Sequence, residues 1–413
     1  MAFLGILTYL FFLFIRLQDW WEPVKGVPVD DIVIILIIVS LLPSLSKFID
    51  ILKLPQGKFL LLFLIVVFLS NLVNVNIDSS FEYGWKYLKF TIIFLAITLS
   101  VNSFPKLKWI TPFIVLLVTF IAYQGIIQSK TGTNWAGQSL YWGNRIRWVG
   151  LFDGANTTAL AFVFVTPFLL EYLFSGSWGM GYKVFSILSG YLILTGFYLA
   201  NSRGGFLSLL SVILFFIITK LKNQKGLVFG VILVLTLFTF VAPSRMEEID
   251  DSDKSTKGRI NAWGEALQMV RYHNPLLGVG KGQFRNYTRH IAHNAFLQQL
   301  GETGLIGAFF WLGSIYATIK GILIVMGGKN MDPLRLSLYK GYFLGLIALL
   351  TGILFISADH ELLYIWIAFL TSIMLVEKVE LKFSFRDIKI IGLIEFAGII
   401  GVYITVNLFK VIY

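Results

Sequence analysis

Thirteen apolar stretches follow one another along this chain, each a candidate to cross a bilayer, and that repetition limits the fold more than any motif does. They fall near 2–17, 31–46, 58–75, 87–103, 109–127, 156–174, 183–200, 204–220 and 226–243, then near 303–326, 337–357, 361–377 and 390–410. A membrane helix needs about 17–25 such residues. The pattern predicts an all-α polytopic membrane protein with 12–13 transmembrane helices, the first stretch being short and the last carrying Glu395. Backbone polar groups in hydrocarbon must be satisfied within each segment, and the ten-residue alternation of a membrane barrel is absent from the sequence. Composition agrees, since 57% of residues are hydrophobic and only 14% charged, more apolar surface than a soluble core could hide. The absence of cysteine removes thiol catalysis, disulfides and Cys-ligated metals. The run Ala2–Ile15 has neither a basic residue before it nor a small-residue cleavage site after it, and reads as a retained first span.

Basic residues in the short loops set the expected orientation. Alternate connectors hold Lys47, Lys53 and Lys58; Lys106 and Lys108; Lys183; Lys220, Lys222 and Lys225; Lys320, Lys329 and Arg335; and Lys378, Lys382, Arg386 and Lys389. The positive-inside rule makes these cytoplasmic, with the N-terminus inside. The net charge of +11 then reflects topology and anionic headgroups, not nucleic acid. The other nine arginines all fall on the outward side: Arg16, Arg145, Arg147, Arg203, Arg245, Arg259, Arg271, Arg285 and Arg289. Lysine suffices for topology, whereas arginine offers a planar fork that grips phosphate or carboxylate bidentately. The alternative is that these arginines snorkel to outer headgroups or pair with the acidic run Glu247–Asp253.

The layout expected from this is a bundle of about nine spans over 1–243, a long outward loop over 244–302, and further spans over 303–413. The loop gathers five arginines with His273, His290 and His293. From Arg259 onward, Ile260, Trp263, Leu267 and Val270 recur at helical spacing, predicting an amphipathic helix that opens at Arg259 and ends at Asn274-Pro275. Gly278, Gly280 and Gly282 alternate like a phosphate cradle, but without a preceding strand or a following Lys-Ser/Thr the nucleotide reading is weak. The histidines lack an H-E-x-x-H glutamate or a carboxylate at ligand spacing, so no metal is expected. His293 suits a general base, or else a cap on the helix leading into Phe296, Leu297 and Leu300. Upstream, Asn201-Ser202-Arg203-Gly204-Gly205 places an arginine at a helix start, where free N–H groups favour anions. Trp135, Tyr141, Trp142 and Trp148 crowd the connector from Gln128 to Asn156, either as an interfacial belt or as a platform on which sugar rings stack.

Taken in order, Ser202-Arg203-Gly204, Gly258-Arg259 with Trp263, Asn274-Pro-Leu-Leu-Gly-Val-Gly280, and His293-Asn-Ala-Phe-Leu297 followed by Glu302-Thr-Gly-Leu-Ile-Gly307 resemble the O-antigen ligase family, which also includes O-antigen polymerases and protein O-oligosaccharyltransferases. Arg147 with Gly150-Leu-Phe-Asp153, Asn156 and Leu160-Ala161 resembles an earlier family segment, with Ala155 where the family often has proline. The resemblance implies a GT-C-like fold and a metal-independent, cofactor-free, inverting glycosyltransferase in the inner membrane of a bacterium. Its donor would be a glycan on a polyprenyl diphosphate such as undecaprenyl diphosphate, and its acceptor a glycolipid or glycan hydroxyl, most simply lipid A-core. His293 would be the base, with Arg203 and Arg259 stabilising the diphosphate and Arg147, Arg285, Arg289 and Asn294 as further substrate contacts. A repeat-unit polymerase is the alternative within the family, and a carrier-lipid flippase the alternative outside it. Membrane lipids are expected partners and nucleic acid is not.

Overall fold

A computed structural model of the chain describes residues 2–221, 254–356 and 360–408. The expected span at 226–243, Lys222, Lys225, Arg245 and the Glu247–Asp253 run lie outside the described residues. Among the described residues every regular element is helical, apart from isolated bridges Thr133–Ser139 and Tyr141–Arg145 in the aromatic connector. Eight helices among the described residues are long and apolar enough to cross a membrane, so the protein is an all-α polytopic membrane protein. Other expected spans are helical but differ in kind. Ala2–Ile15, Val29–Leu41 and Glu361–Val376 have 14, 13 and 16 residues, and Ile77–Ser100 carries Asp78, Glu82, Lys86 and Lys89 ahead of its apolar C-terminal part.

The helices group into two compact units, each discontinuous in sequence. The first comprises Met1–Pro43, Ser100–Glu248 and Met326–Gly352. Its central element is Ala155–Phe174, apolar on nearly every face and buried to match. Lipid offers no hydrophobic drive for helices to associate, so close approach through small residues does that work. A Cβ on Gly205 would lie 2.8 Å from Ala159, one on Gly341 2.5 Å from Phe168, and one on Gly352 2.4 Å from Leu160. Glu171 is tolerated at the helix end because Lys220 (3.2 Å) and Ser337 (2.7 Å) both bond its carboxylate.

The second unit comprises Ser44–Leu99, Ile249–Val325 and Ile353–Tyr413. At its core the short helix Glu361–Val376 buries every side chain from Leu362 to Met374. Two further helices of this unit, Ala295–Met326 and Phe385–Leu408, pack with the loop helix Lys254–Gln268, which runs on into a π-helical turn at Met269–His273. That helix begins five residues before Arg259, so Arg259 sits in its second turn and not at its start. The apolar stripe marks where packing begins, at Ile260, and says nothing about the polar turn ahead of it. The face at the core is also set by small residues. Ala262 and Ala266 are fully buried with Met269, while the bulkier Trp263 and Val270 sit partly buried at the edge.

Candidate active site

The site in the second unit is built around a broken helix. Ala295–Met326 takes non-helical angles at Gly304 (φ 66°, ψ −169°), which frees backbone groups on both sides of the break. The segment Asn274–Gly282 fills the gap. The N–H groups of Leu305 and Ile306 donate to the carbonyls of Pro275 (2.9 Å) and Leu276 (3.1 Å), and those of Val279 and Gly280 donate to Gly301 and Glu302 (both 3.0 Å). Asn274 folds the segment, its Oδ1 accepting from Leu276 and Leu277 at 3.1 and 3.0 Å. This close docking explains the alternating glycines. All three have positive φ, and a Cβ on Gly278 would lie 2.5 Å from the backbone of Gly301 and Glu302, one on Gly282 2.0 Å from the Tyr83 ring. Gly278 thus lets backbone approach backbone, whereas Gly280 and Gly282 leave room for the Asn71 and Tyr83 side chains.

Between these glycines Lys281 is fully buried and donates to Glu302 at 2.5 Å, 5.5 Å from the centre of the Tyr87 ring. Glu302 also accepts from Gln298 (3.1 Å) and from the Phe284 N–H (3.4 Å), so one carboxylate ties the glycine segment, the turn after it and the helix together. Sequence reading missed this pair, because a lysine in a glycine run reads as solvated. Removing one partner of a buried ion pair strands the other charge, so Lys281→Met should cost about 3–5 kcal/mol, whereas neutralising both with Glu302→Gln should recover most of it. Thermal unfolding of the purified protein in detergent, read as Tm for the single and double variants, checks this.

The docked segment leads to His293. The Trp263 indole N–H donates to the Ala292 carbonyl at 2.9 Å, and His293 takes a positive φ of 46°. Asn294, not His293, caps the helix that follows, its Oδ1 accepting the Leu297 N–H at 3.1 Å. The imidazole is therefore not spent on capping. Half-buried, it faces two cations, and burial together with the charges of Arg259 and Arg285 holds its pKa down to about 4. At neutral pH it is an uncharged base with guanidiniums beside it.

The remaining loop residues divide. Arg289 and His290 are placed at Glu265, whose carboxyl burial pushes above its usual range while those two cationic or basic groups pull it down. His290 also lies against Gly258, where a Cβ would be 3.2 Å from Nδ1. His273 packs edge-on to Tyr287 at 4.8 Å. The three histidines thus have three different surroundings.

In the first unit, Arg203 is the first residue of the helix Arg203–Leu221. Ser202 Oγ accepts the Gly205 N–H (3.1 Å) and donates to Asn156 Oδ1 (2.9 Å). The same Asn156 oxygen accepts from Arg145 Nη2 at 2.9 Å, and Arg145 Nε donates to the Ala200 carbonyl at 2.9 Å. Arg145, 3% exposed, is thus a structural hub that its outward position in the sequence did not distinguish from the other arginines. Arg147 is held within its own connector, bonded to Asp153 (3.1 Å) and to the Ser139 carbonyl (3.1 Å).

These features define a polytopic helical membrane protein whose long loop holds a neutral imidazole beside guanidiniums. Residues 188–312 match the family model described as O-antigen ligase, so this stretch is similar to that family, in line with the resemblance of its motifs. It takes in Arg203, Arg259, Arg285, Arg289, His293 and Asn294, with Arg147 ahead of it. No curated protein gives a significant match to the chain.

Proposed function

We propose that the protein transfers a glycan from a polyprenyl diphosphate, such as undecaprenyl diphosphate, to an acceptor hydroxyl on the outer face of a bacterial inner membrane. The N-terminus would be cytoplasmic and the 244–302 loop periplasmic. The observation that carries the reading is His293 kept neutral against Arg259 and Arg285 within the segment that matches the family. In the proposed reaction the acceptor oxygen attacks the anomeric carbon, the bond from that carbon to the diphosphate oxygen breaks, and the polyprenyl diphosphate leaves with the electron pair. His293 takes the acceptor's proton. Attack opposite the leaving group inverts the anomeric centre.

Arg259 and Arg285 act on the leaving group, where positioned positive charge offsets what develops in the transition state. They also couple donor binding to the base. When the diphosphate offsets their charge, one cause of the low His293 pKa is removed and the imidazole becomes a stronger base as the donor arrives. Arg203 is a further diphosphate ligand, favoured by its place at the start of a helix. Arg289, Arg147 and Asn294 are further substrate contacts, held in place by Glu265, Asp153 and the Leu297 N–H.

A ligase acting on lipid A-core is the first reading and a repeat-unit polymerase the second. Deleting the gene and resolving the cell's glycolipids on a gel separates them. Loss of a ligase leaves bare core with polymer still on carrier lipid, whereas loss of a polymerase leaves single repeats attached. Unchanged glycolipids would contradict both.

A further inference from the structure

The aromatic connector of the first unit holds a feature that the proposed chemistry does not use. Tyr141 and Arg145 close a three-residue turn by exchanging backbone hydrogen bonds, Tyr141 N–H to Arg145 at 2.7 Å and Arg145 N–H to Tyr141 at 3.1 Å. Within it Trp142 takes a left-handed φ of 51°, a strained conformation for a bulky side chain, and Gly143 follows at φ 80°. Such strain persists only where the surroundings enforce it, and here they do. The Trp142 ring stacks on Tyr141 at 5.2 Å and 19°, and the guanidiniums of Arg145 and Arg147 sit 5.9 and 5.7 Å from the centre of the Tyr141 ring.

The stack is fixed from below and open above. Arg145 is buried and bonded to Ala200 and Asn156, and Arg147 to Asp153, so the base of the turn is rigid. Trp142 is nevertheless 71% exposed, and Asn144 beside it is exposed too. Its environment thus combines a broad apolar ring, an amide at the rim and a prepaid conformation. That combination suits a sugar ring, whose face of C–H bonds packs on an aromatic while its hydroxyls need donors and acceptors at the edge. The turn is also tied to Arg203. Asn156, which Arg145 grips, is the residue that Ser202 bonds one position before Arg203.

We propose that the Tyr141–Trp142 stack is a carbohydrate subsite that holds a sugar ring of the donor glycan while Arg203 binds the diphosphate. This inference rests on the proposed transfer reaction for the identity of the glycan. The stack takes no part in bond making, so its loss weakens donor binding and leaves the chemical step alone.

The experiment uses the full-length protein in vesicles, with lipid-linked glycan extracted from the source cells as donor. Trp142→Ala should raise the donor KM by about 5–10-fold, the order of one lost aromatic contact, and leave kcat within about twofold. Trp142→Tyr should restore most of the difference. Trp142→Gly, which relieves the left-handed strain, should raise Tm while showing the same weakened binding. In parallel, oligosaccharide released from that glycan by mild acid should change the tryptophan emission of the wild type more than that of Trp142→Ala. An unchanged KM with no emission difference overturns the subsite. If brominated lipid quenches the Trp142 contribution and the oligosaccharide does not, the ring belongs to a membrane belt and the proposal is wrong. Should the wild type fail to transfer any glycan, the transfer reading falls, and the emission difference still decides whether the stack binds sugar.

Discussion

His293→Ala is expected to lower kcat for glycan transfer by about 10²–10⁴-fold, the span that general-base catalysis supplies, with donor KM little changed. The split follows from the geometry. In the proposed mechanism His293 acts on the acceptor's proton, whereas donor affinity rests on the arginines whose charges lower its pKa. Its pH dependence gives an independent signature. An imidazole works as a base only when neutral, and the folded protein holds this one at a pKa of about 4, below the ordinary 6.5. The acid limb of kcat/KM, which reports the free enzyme, should therefore fall near pH 4 and not near 6.5. The limb of kcat reports the donor complex and should lie higher, because bound diphosphate offsets Arg259 and Arg285. The same shift enters stability with a definite sign. A depressed histidine pKa contributes stability that is present above about 6.5 and lost as pH falls toward 4, where the folded form also takes up the proton. Rates measured across pH 4–8 with wild type and His293→Ala test both limbs, and a variant that transfers at near-normal rates removes the base.

Arg203→Ala should cost about 10²–10³-fold in kcat/KM, the usual loss when a positioned donor to developing negative charge is removed. Arg203→Lys should recover little of it, because an ammonium keeps the charge but not the bidentate fork. The helix start that Arg203 occupies is capped by Ser202 and braced by Asn156 and Arg145, so the turn should survive the change. Membrane abundance measured beside transfer separates loss of function from loss of protein. If Arg203→Lys matches wild type, point charge suffices and the fork plays no part.

How far the chain could be read without coordinates varied with the physics. The spans were legible because hydrocarbon forces the same long apolar signature on every crossing helix. The expected span at 156–174 lies within the helix Ala155–Phe174, and that at 337–357 overlaps Pro333–Ile353 over most of its length. The loop helix was legible in kind and in part of its packing stripe, Ile260, Trp263 and Val270, but not in its bounds or in the buried Ala262 and Ala266, which carry little hydropathy signal. Gly278, Gly280 and Gly282 announced special backbone but not its cause, since a helix breaking at Gly304 to accept another segment leaves no local pattern. Lys281 with Glu302, and Arg145 with Asn156, escaped for a related reason. Each is a long-range pair in which one charge looks solvated until its partner is known. His293 was picked out by its neighbours in sequence, yet the capping alternative was settled only by the bond from Asn294 to the Leu297 N–H.

The most direct test of the account is a transfer reaction with purified components. Purified protein in vesicles would be given polyprenyl diphosphate-linked glycan and lipid A-core, and the lipid products would be quantified by mass spectrometry. Glycosylated acceptor and free polyprenyl diphosphate should appear in equal amounts, and His293→Ala should form both at least about 10²-fold more slowly. Donor that crosses the bilayer intact while the acceptor stays unmodified would contradict the account and leave a transporter in its place.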